Sequence, residues 1–196
     1  MKLRHAVITS VDRDDVPDGG ASIWAATIRE IRKASPGCAV EVLVPDFRRS
    51  APGALETVMA ERPDILNHNT ETVPRLYSVV RTQAQYQRSL ELLSRAKKRG
   101  FVTKTGLMVG IGERSEEVLE VMRDLRAVSC DILTLGQYLQ PTKEHLPVDR
   151  FVTPEEFAMY KSEINQVLLM CEKDPAMKEL LDQLFVLYNL KKCQTS

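Results

Sequence analysis

Val102-Thr-Lys-Thr-Gly-Leu-Met-Val-Gly-Ile-Gly-Glu113 is a β-branched, apolar run that ends in glycines and a carboxylate. A continuous run of this kind reads as a strand buried in a parallel sheet rather than one edge of a half-wet antiparallel sheet. Directly after it, Ser115 reads as a helix N-cap, and Glu116 and Glu117 fall in the first turn, where the helix dipole favours negative charge. Val118, Val121, Met122 and Leu125 then repeat at helical spacing. Strand, polar turn, helix is the unit of parallel α/β folds.

The same succession extends outward on both sides. Further strand candidates are Ala6 to Ser10, Val40 to Val44, Asp64 to Asn67 and Asp131 to Leu135, all with the character of a sheet covered on both faces. Between them Ile23, Thr27, Ile28 and Ile31 share helical spacing, as do Tyr86, Leu90 and Leu93. Serial right-handed βαβ crossovers build an open doubly wound sheet or a barrel. Five strands make an incomplete barrel, since a full one has eight and about 250 residues. The expected fold class is α/β, a partial (β/α) TIM-like barrel of parallel strands over residues 1–157, with a C-terminal helical tail over 158–196.

The tail differs in character. Phe157, Tyr160, Ile164, Val167, Leu168 and Cys171 form one apolar stripe, and Asp174-Pro175 reads as N-cap and first position of a second helix. That helix carries Met177, Leu180, Leu181, Leu184, Phe185, Leu187 and Tyr188.

Composition narrows the function. With 196 residues, 43% of them hydrophobic and 28% charged, the chain is an ordinary globular protein. Its 27 basic and 27 acidic residues cancel, so no net field draws it to nucleic acid or to a membrane. No apolar run approaches the roughly 18 to 20 residues of a membrane span, and the N-terminal apolar stretch is too short for a secretory signal. The expected location is cytoplasmic, or organellar with the targeting part missing. Cys38, Cys130, Cys171 and Cys193 lack the close pairing of metal motifs and read as reduced thiols.

Polar clusters follow every strand candidate: Thr9-Ser-Val-Asp12, Pro45-Asp46, Asn67-His-Asn69, Gly110-Ile-Gly-Glu113 and Gly136-Gln137. In parallel α/β folds the carboxyl ends of strands carry ligands and catalytic groups, so these clusters predict one active rim. A dinucleotide fingerprint would need glycine where Ser115 stands. Gly106 and Gly110 therefore either admit close backbone approach to a flat ligand or belong to a strand-to-helix turn in which Glu113 is a capping acid. Asp18-Gly19-Gly20 is a strong turn signal. Lys104, within a buried strand, must face an anionic group in the barrel, as a ligand contact or as a Schiff-base lysine of an aldolase-like site. Asn67, Asn69 and Glu71 offer amide and carboxylate groups for ligand hydroxyls, or close a loop network of their own. Arg13, Gln137 and Gln140 are rim candidates, and His5, His68 and His145 are too scattered for a metal site. Arg29, Arg32, Lys33, Arg95, Lys97, Lys98 and Arg99 fall on solvated helix faces, or on a docking face for an acidic carrier.

Several long runs resemble one family in order. They are Thr9-Ser-Val-Asp-Arg-Asp-Asp-Val-Pro-Asp-Gly-Gly20, Val44-Pro-Asp-Phe47, Asn67-His-Asn-Thr-Glu-Thr-Val-Pro74, Tyr86-Gln-Arg-Ser-Leu90, Thr103 to Glu113, and Asp131-Ile-Leu-Thr-Leu-Gly-Gln-Tyr-Leu-Gln-Pro-Thr142. Over residues 6–158 the chain resembles the lipoyl synthases, radical S-adenosylmethionine enzymes. The resemblance implies a sulfurtransferase of lipoate biosynthesis and protein lipoylation, which inserts sulfur at carbons 6 and 8 of a protein-bound octanoyl group by 5′-deoxyadenosyl radical chemistry. It implies S-adenosylmethionine and two 4Fe-4S clusters as cofactors, an octanoylated lipoyl-carrier domain or H protein as partner, and ferredoxin or flavodoxin as electron donor. The implied locations are the bacterial cytoplasm or the mitochondrial or plastid matrix.

For the site, the resemblance implies cofactor contacts by Gly19, Gly20, Asn67, Asn69, Glu71, Lys104, Gly106, Gly110, Glu113 and Gln137. The family's cysteine triplets precede the region equivalent to residue 6, and its Arg-Ser-Ser-Tyr segment follows the region of Phe151 to Phe157; the sequence contains neither. None of the four cysteines matches a family ligand, so cluster ligation by this chain alone is not expected. The competing expectation is a non-catalytic partial barrel that serves as a binding or interaction module.

Overall fold

The computed structural model describes residues 3–168. Five strands, β1 (His5–Thr9), β2 (Ala39–Leu43), β3 (Ile65–Asn67), β4 (Val102–Val109) and β5 (Ile132–Gln137), form one sheet in the order β1-β2-β3-β4-β5. Every neighbouring pair is parallel. A doubly wound sheet reverses its strand order at a switch point; here each crossover steps the same way, which is how a barrel wall grows. The crossovers contain α1 (Ala21–Ala34), α2 (Ala54–Ala60), α3 (Tyr77–Val80), α4 (Tyr86–Lys98) and α5 (Ser115–Ala127), and α6 (Pro154–Leu168) follows β5.

Strand alternation divides the wall into two faces. Outward-facing Val40, Val42 and Leu66 pack with Trp24, Ile28, Val58, Met59 and Leu92 in one buried cluster. Leu107 and Val109 pack with Leu93, Val118, Val121, Met122, Leu125 and Tyr160 in a second. Each such side chain contributes roughly 1.5 to 3 kcal/mol on burial, so these two clusters hold the helices to the sheet. The inner face bears Glu41, Asn67, Lys104 and Gly106 instead, and is open at its edges, where Val7 is 56% exposed. Among the described residues, the expectation of a sheet covered on both faces therefore holds for the outer face and, on the inner face, only for its centre, where Glu41, Ile65, Asn67, Lys104 and Ile132 are buried. The inner face of a barrel is covered by the opposite wall, and five strands do not bring a wall round to face them.

Two helix details differ from expectation. In α1 the buried residues are Ala21, Trp24, Ala25 and Ile28, while Ile23 is 57% exposed. The sequence carries two overlapping apolar stripes, and the one containing the larger Trp24 faces the sheet. The N-cap of α5 is Arg114 rather than Ser115. Glu117 accepts the Arg114 backbone N–H at 2.9 Å, while the Ser115 hydroxyl accepts from Tyr160 of α6 at 3.1 Å. The strand and α5 assignments otherwise fall within a few residues of expectation. Helix α6 runs across residue 158, and the second tail helix expected from Asp174-Pro175 lies outside the described residues. No helix among the described residues is long and apolar enough to cross a membrane.

Candidate active site on the inner wall

Because all five strands are parallel, their carboxyl ends share one rim, and the five polar clusters lie along it. At its centre β3 ends at Asn67, and the chain continues beside β4 through Asn69 and Glu71. The Glu71 N–H donates to Gly106 O at 2.9 Å, and Met108 N–H donates to Glu71 O at 2.8 Å. Thr70 and Thr72 are fully buried, whereas Asn69 and Glu71 are only half-buried. Asn69 Nδ2 donates to Glu71 Oε1 at 3.1 Å. Gly106 lies directly against this pair: a Cβ there would stand 2.7 Å from Asn69 Oδ1. The missing side chain at 106 is what lets the Asn69 amide lie against the wall. Glu71 has φ 65°, a left-handed conformation that costs a non-glycine residue of order 1–3 kcal/mol and collects at functional sites.

Deeper on the same face, Lys104 Nζ stands 3.0 Å from Glu41 Oε1. Asn67 Nδ2 donates to Glu41 Oε1 at 2.8 Å, and His5 Nε2 lies 3.4 Å from Glu41 Oε2. Lys104 thus faces an anionic group, as its position required, and that group is the protein's own Glu41. The reading of β2 as an apolar strand missed Glu41, although a single carboxylate among Val40, Val42 and Val44 carried the signal. The contact the structure shows for Nζ is the ion pair with Glu41.

The other candidates divide. The Asp18 carboxylate accepts Gly20 N–H and Ser22 N–H, both at 2.9 Å, so the turn also begins α1. The Ser22 side chain, and after it these two backbone bonds, hold the Asp18 carboxyl below its usual range. Gly19 has φ 61°, and a Cβ there would stand 2.0 Å from Ser50 Oγ, so this glycine seats the first rim loop against the second. Asp12, on the same rim, has its carboxyl pushed up by burial and by the neighbouring Asp14 and Asp46.

Gly110, Glu113 and Gln137 gather at the rim end of β4 and β5 around the strap of residues 149–152. Glu113 accepts Gly110 N–H at 2.7 Å and Ile111 N–H at 2.9 Å, so it closes the turn after β4 rather than capping α5, whose capping acid is Glu117. Gln137 donates to Arg150 O at 3.1 Å and accepts Val152 N–H at 2.8 Å. A Cβ at Gly110 would stand 2.4 Å from Arg150 O. These three residues fix the strap, while Asn67, Asn69, Glu71, Lys104 and Gly106 form the inner wall.

Among the described residues no group of three or more His, Cys, Asp or Glu side chains could hold a metal ion. Cys38 and Cys130 are buried, and burial pushes the Cys130 thiol up to about 11. His68 is also buried, with Nδ1 2.9 Å from Val44 O and Nε2 3.0 Å from Ser89 Oγ, and desolvation lowers it to about 4. It is a neutral structural histidine.

Comparison with known proteins agrees with this geometry. Residues 1–125 match the sequence profile of the Radical SAM superfamily. The chain is 62% identical over 163 residues to lipoyl synthase of Rubrobacter xylanophilus, covering 82% of this chain and 50% of that protein. It is 59% identical over 162 residues to lipoyl synthase of Chlorobaculum parvum, covering 82% of this chain and 55% of that protein. The chain spans about half the length of these curated relatives. Among solved structures it resembles methylornithine synthase with a TM-score of 0.65 at 12% identity, over 86% of this chain and 48% of that one, a likeness of fold alone.

Proposed function

The chain belongs to the Radical SAM superfamily, and from that membership, with lipoyl synthases as its homologues, we propose that it forms the S-adenosyl-L-methionine-binding wall of a lipoyl synthase. The reaction proposed is sulfur insertion at carbons 6 and 8 of an octanoyl group on a lipoyl-carrier domain or H protein, with ferredoxin or flavodoxin as reductant. The bacterial relatives support a cytoplasmic setting. S-adenosyl-L-methionine, when bound, supplies the hydrogen-abstracting radical chemistry of the family.

The observation that carries the reading is the Asn69–Glu71 pair lying against Gly106. Asn69 Oδ1 and Glu71 Oε2 make no hydrogen bond among the described residues, so both can accept from ligand hydroxyl or amino groups. Gly106 keeps the wall flat for a planar ring or a ribose, and Asn67 continues the polar surface inward. Gly19 and Gly20 line the first rim loop, where backbone groups can receive the methionine end. Lys104, neutralised by Glu41, sets the polarity of the floor, and Gly110, Glu113 and Gln137 act by holding the strap. The described residues do not fit an iron–sulfur cluster, because Cys38 and Cys130 are buried apart from any further ligand set.

The test is calorimetric titration of the chain with S-adenosyl-L-homocysteine. Weak binding that is lost in Glu71→Ala and Asn69→Ala is expected; binding unaffected by both substitutions would remove this wall from the ligand site.

A further inference from the structure

We propose that Arg81 is a positioning residue for the Asn69–Glu71 turn, acting together with Tyr77 from behind the wall; the inference rests on the ligand reading of that turn. Beyond Asn67 the chain leaves β3, and the last contact toward β2 in that row is Val44 N–H to Asn67 O at 2.9 Å. The next carbonyls must find partners elsewhere, because a buried main-chain carbonyl without one is costly. Arg81 Nη1 donates to Asn69 O at 2.9 Å, and the Tyr77 hydroxyl donates to Thr70 O at 2.7 Å. The Arg81 guanidinium lies over the Tyr77 ring, 5.7 Å from its centroid, so the two donors brace each other.

Arg81 replaces the missing strand partner of the Asn69 carbonyl, and Tyr77 shares the Thr70 carbonyl with Thr72 N–H, which donates to it at 2.8 Å. With the Asn69 and Thr70 carbonyls drawn toward α3, the Thr70 side chain is fixed from the other direction. Its N–H donates to Thr105 Oγ1 at 3.0 Å and its hydroxyl to Gly106 O at 3.2 Å. Asn69 and Glu71 are left to face the inner wall. A left-handed Glu71 persists only where its surroundings over-determine it, and Arg81 supplies the charge-assisted bond of the set. The bond from Arg81 to this turn goes to the Asn69 carbonyl, so its influence on a ligand at the inner wall runs through the Asn69 backbone.

The experiment compares Arg81→Met, which keeps the stem and removes the donors, with Asn69→Ala and the double variant in the full chain. Expected for Arg81→Met is about a tenfold loss of affinity for S-adenosyl-L-homocysteine, from a turn no longer preorganised. Amide exchange at Glu71 and Met108 should rise about tenfold, with Val121 and Met122 of α5 unchanged. In the double variant, Arg81→Met should add almost nothing to the loss caused by Asn69→Ala. Additive losses, or unchanged exchange at Glu71, overturn the proposal. If the unsubstituted chain does not bind S-adenosyl-L-homocysteine, the ligand reading falls separately, and the positioning role is then decided by exchange at Glu71 alone.

Discussion

Glu41 and Lys104 meet on the inner face across β3, with Nζ 3.0 Å from Oε1 and with only 2% and 10% of their side chains exposed. The pair straddles Asn67, whose amide is oriented by the same carboxylate. Breaking a buried pair from one side strands a charge, whereas replacing both sides removes the problem.

Glu41→Ala should therefore destabilise the chain by about 3–5 kcal/mol, read by urea denaturation. The double variant Glu41→Leu with Lys104→Met should cost less than Glu41→Ala alone. A single substitution that proves milder than the double would show that the pair is not energetically coupled.

Acid should weaken the fold in two steps. His68 is held at about 4 against a reference of 6.5, so the unfolded chain binds its proton first, and the stability from neutral His68 is lost as pH falls from about 6.5 to 4. Glu117 is held at about 2, chiefly by Arg75, whose Nε and Nη2 donate to it at 2.7 and 2.9 Å. Its contribution is present above about 4.5 and fades toward 2. Ring signals of His68 that titrate near 6.5 in the folded chain would contradict the first step.

The two glycines of β4 and its rim should respond differently. Gly106 has no left-handed requirement, so Gly106→Ala should keep the fold but displace Asn69, and S-adenosyl-L-homocysteine binding should be lost with little change in melting temperature. Gly110 has φ 89° and faces Arg150 O, so Gly110→Ala should lower stability by roughly 1–3 kcal/mol through strain and a displaced strap. Equal effects of the two on melting temperature would show that Gly106 is structural as well.

Cys38 and Cys130 should resist maleimide at pH 8 in the folded chain and react once it is unfolded in urea, because both are buried and the Cys130 thiolate is disfavoured. Rapid native-state labelling of Cys130, followed by mass spectrometry of its peptide, is the result that would count against this.

The sequence by itself determined the wall. Five β-branched runs separated by helical periodicities specify serial βα units, since period-2 and period-3.6 burial patterns are local properties of the chain. The runs at Asn67 to Glu71 and Gly106 to Glu113 likewise marked the rim, because polar groups at strand ends stand out against apolar strands. What the sequence could not assign was the task of each polar group. Lys104 needed an anion, but Glu41 lies 63 residues away in sequence and meets it only when β2, β3 and β4 pair in register. Glu113 and Gln137 come beside the strap of residues 149–152 only through the fold that brings Arg150 and Val152 back to them. Arg81, which no sequence motif singled out, reaches the Asn69 carbonyl only because α3 carries it there. Hydrogen bonds between distant residues depend on distances of tenths of an ångström that only the folded sheet fixes, and that is why tertiary structure separated the inner wall from its supports.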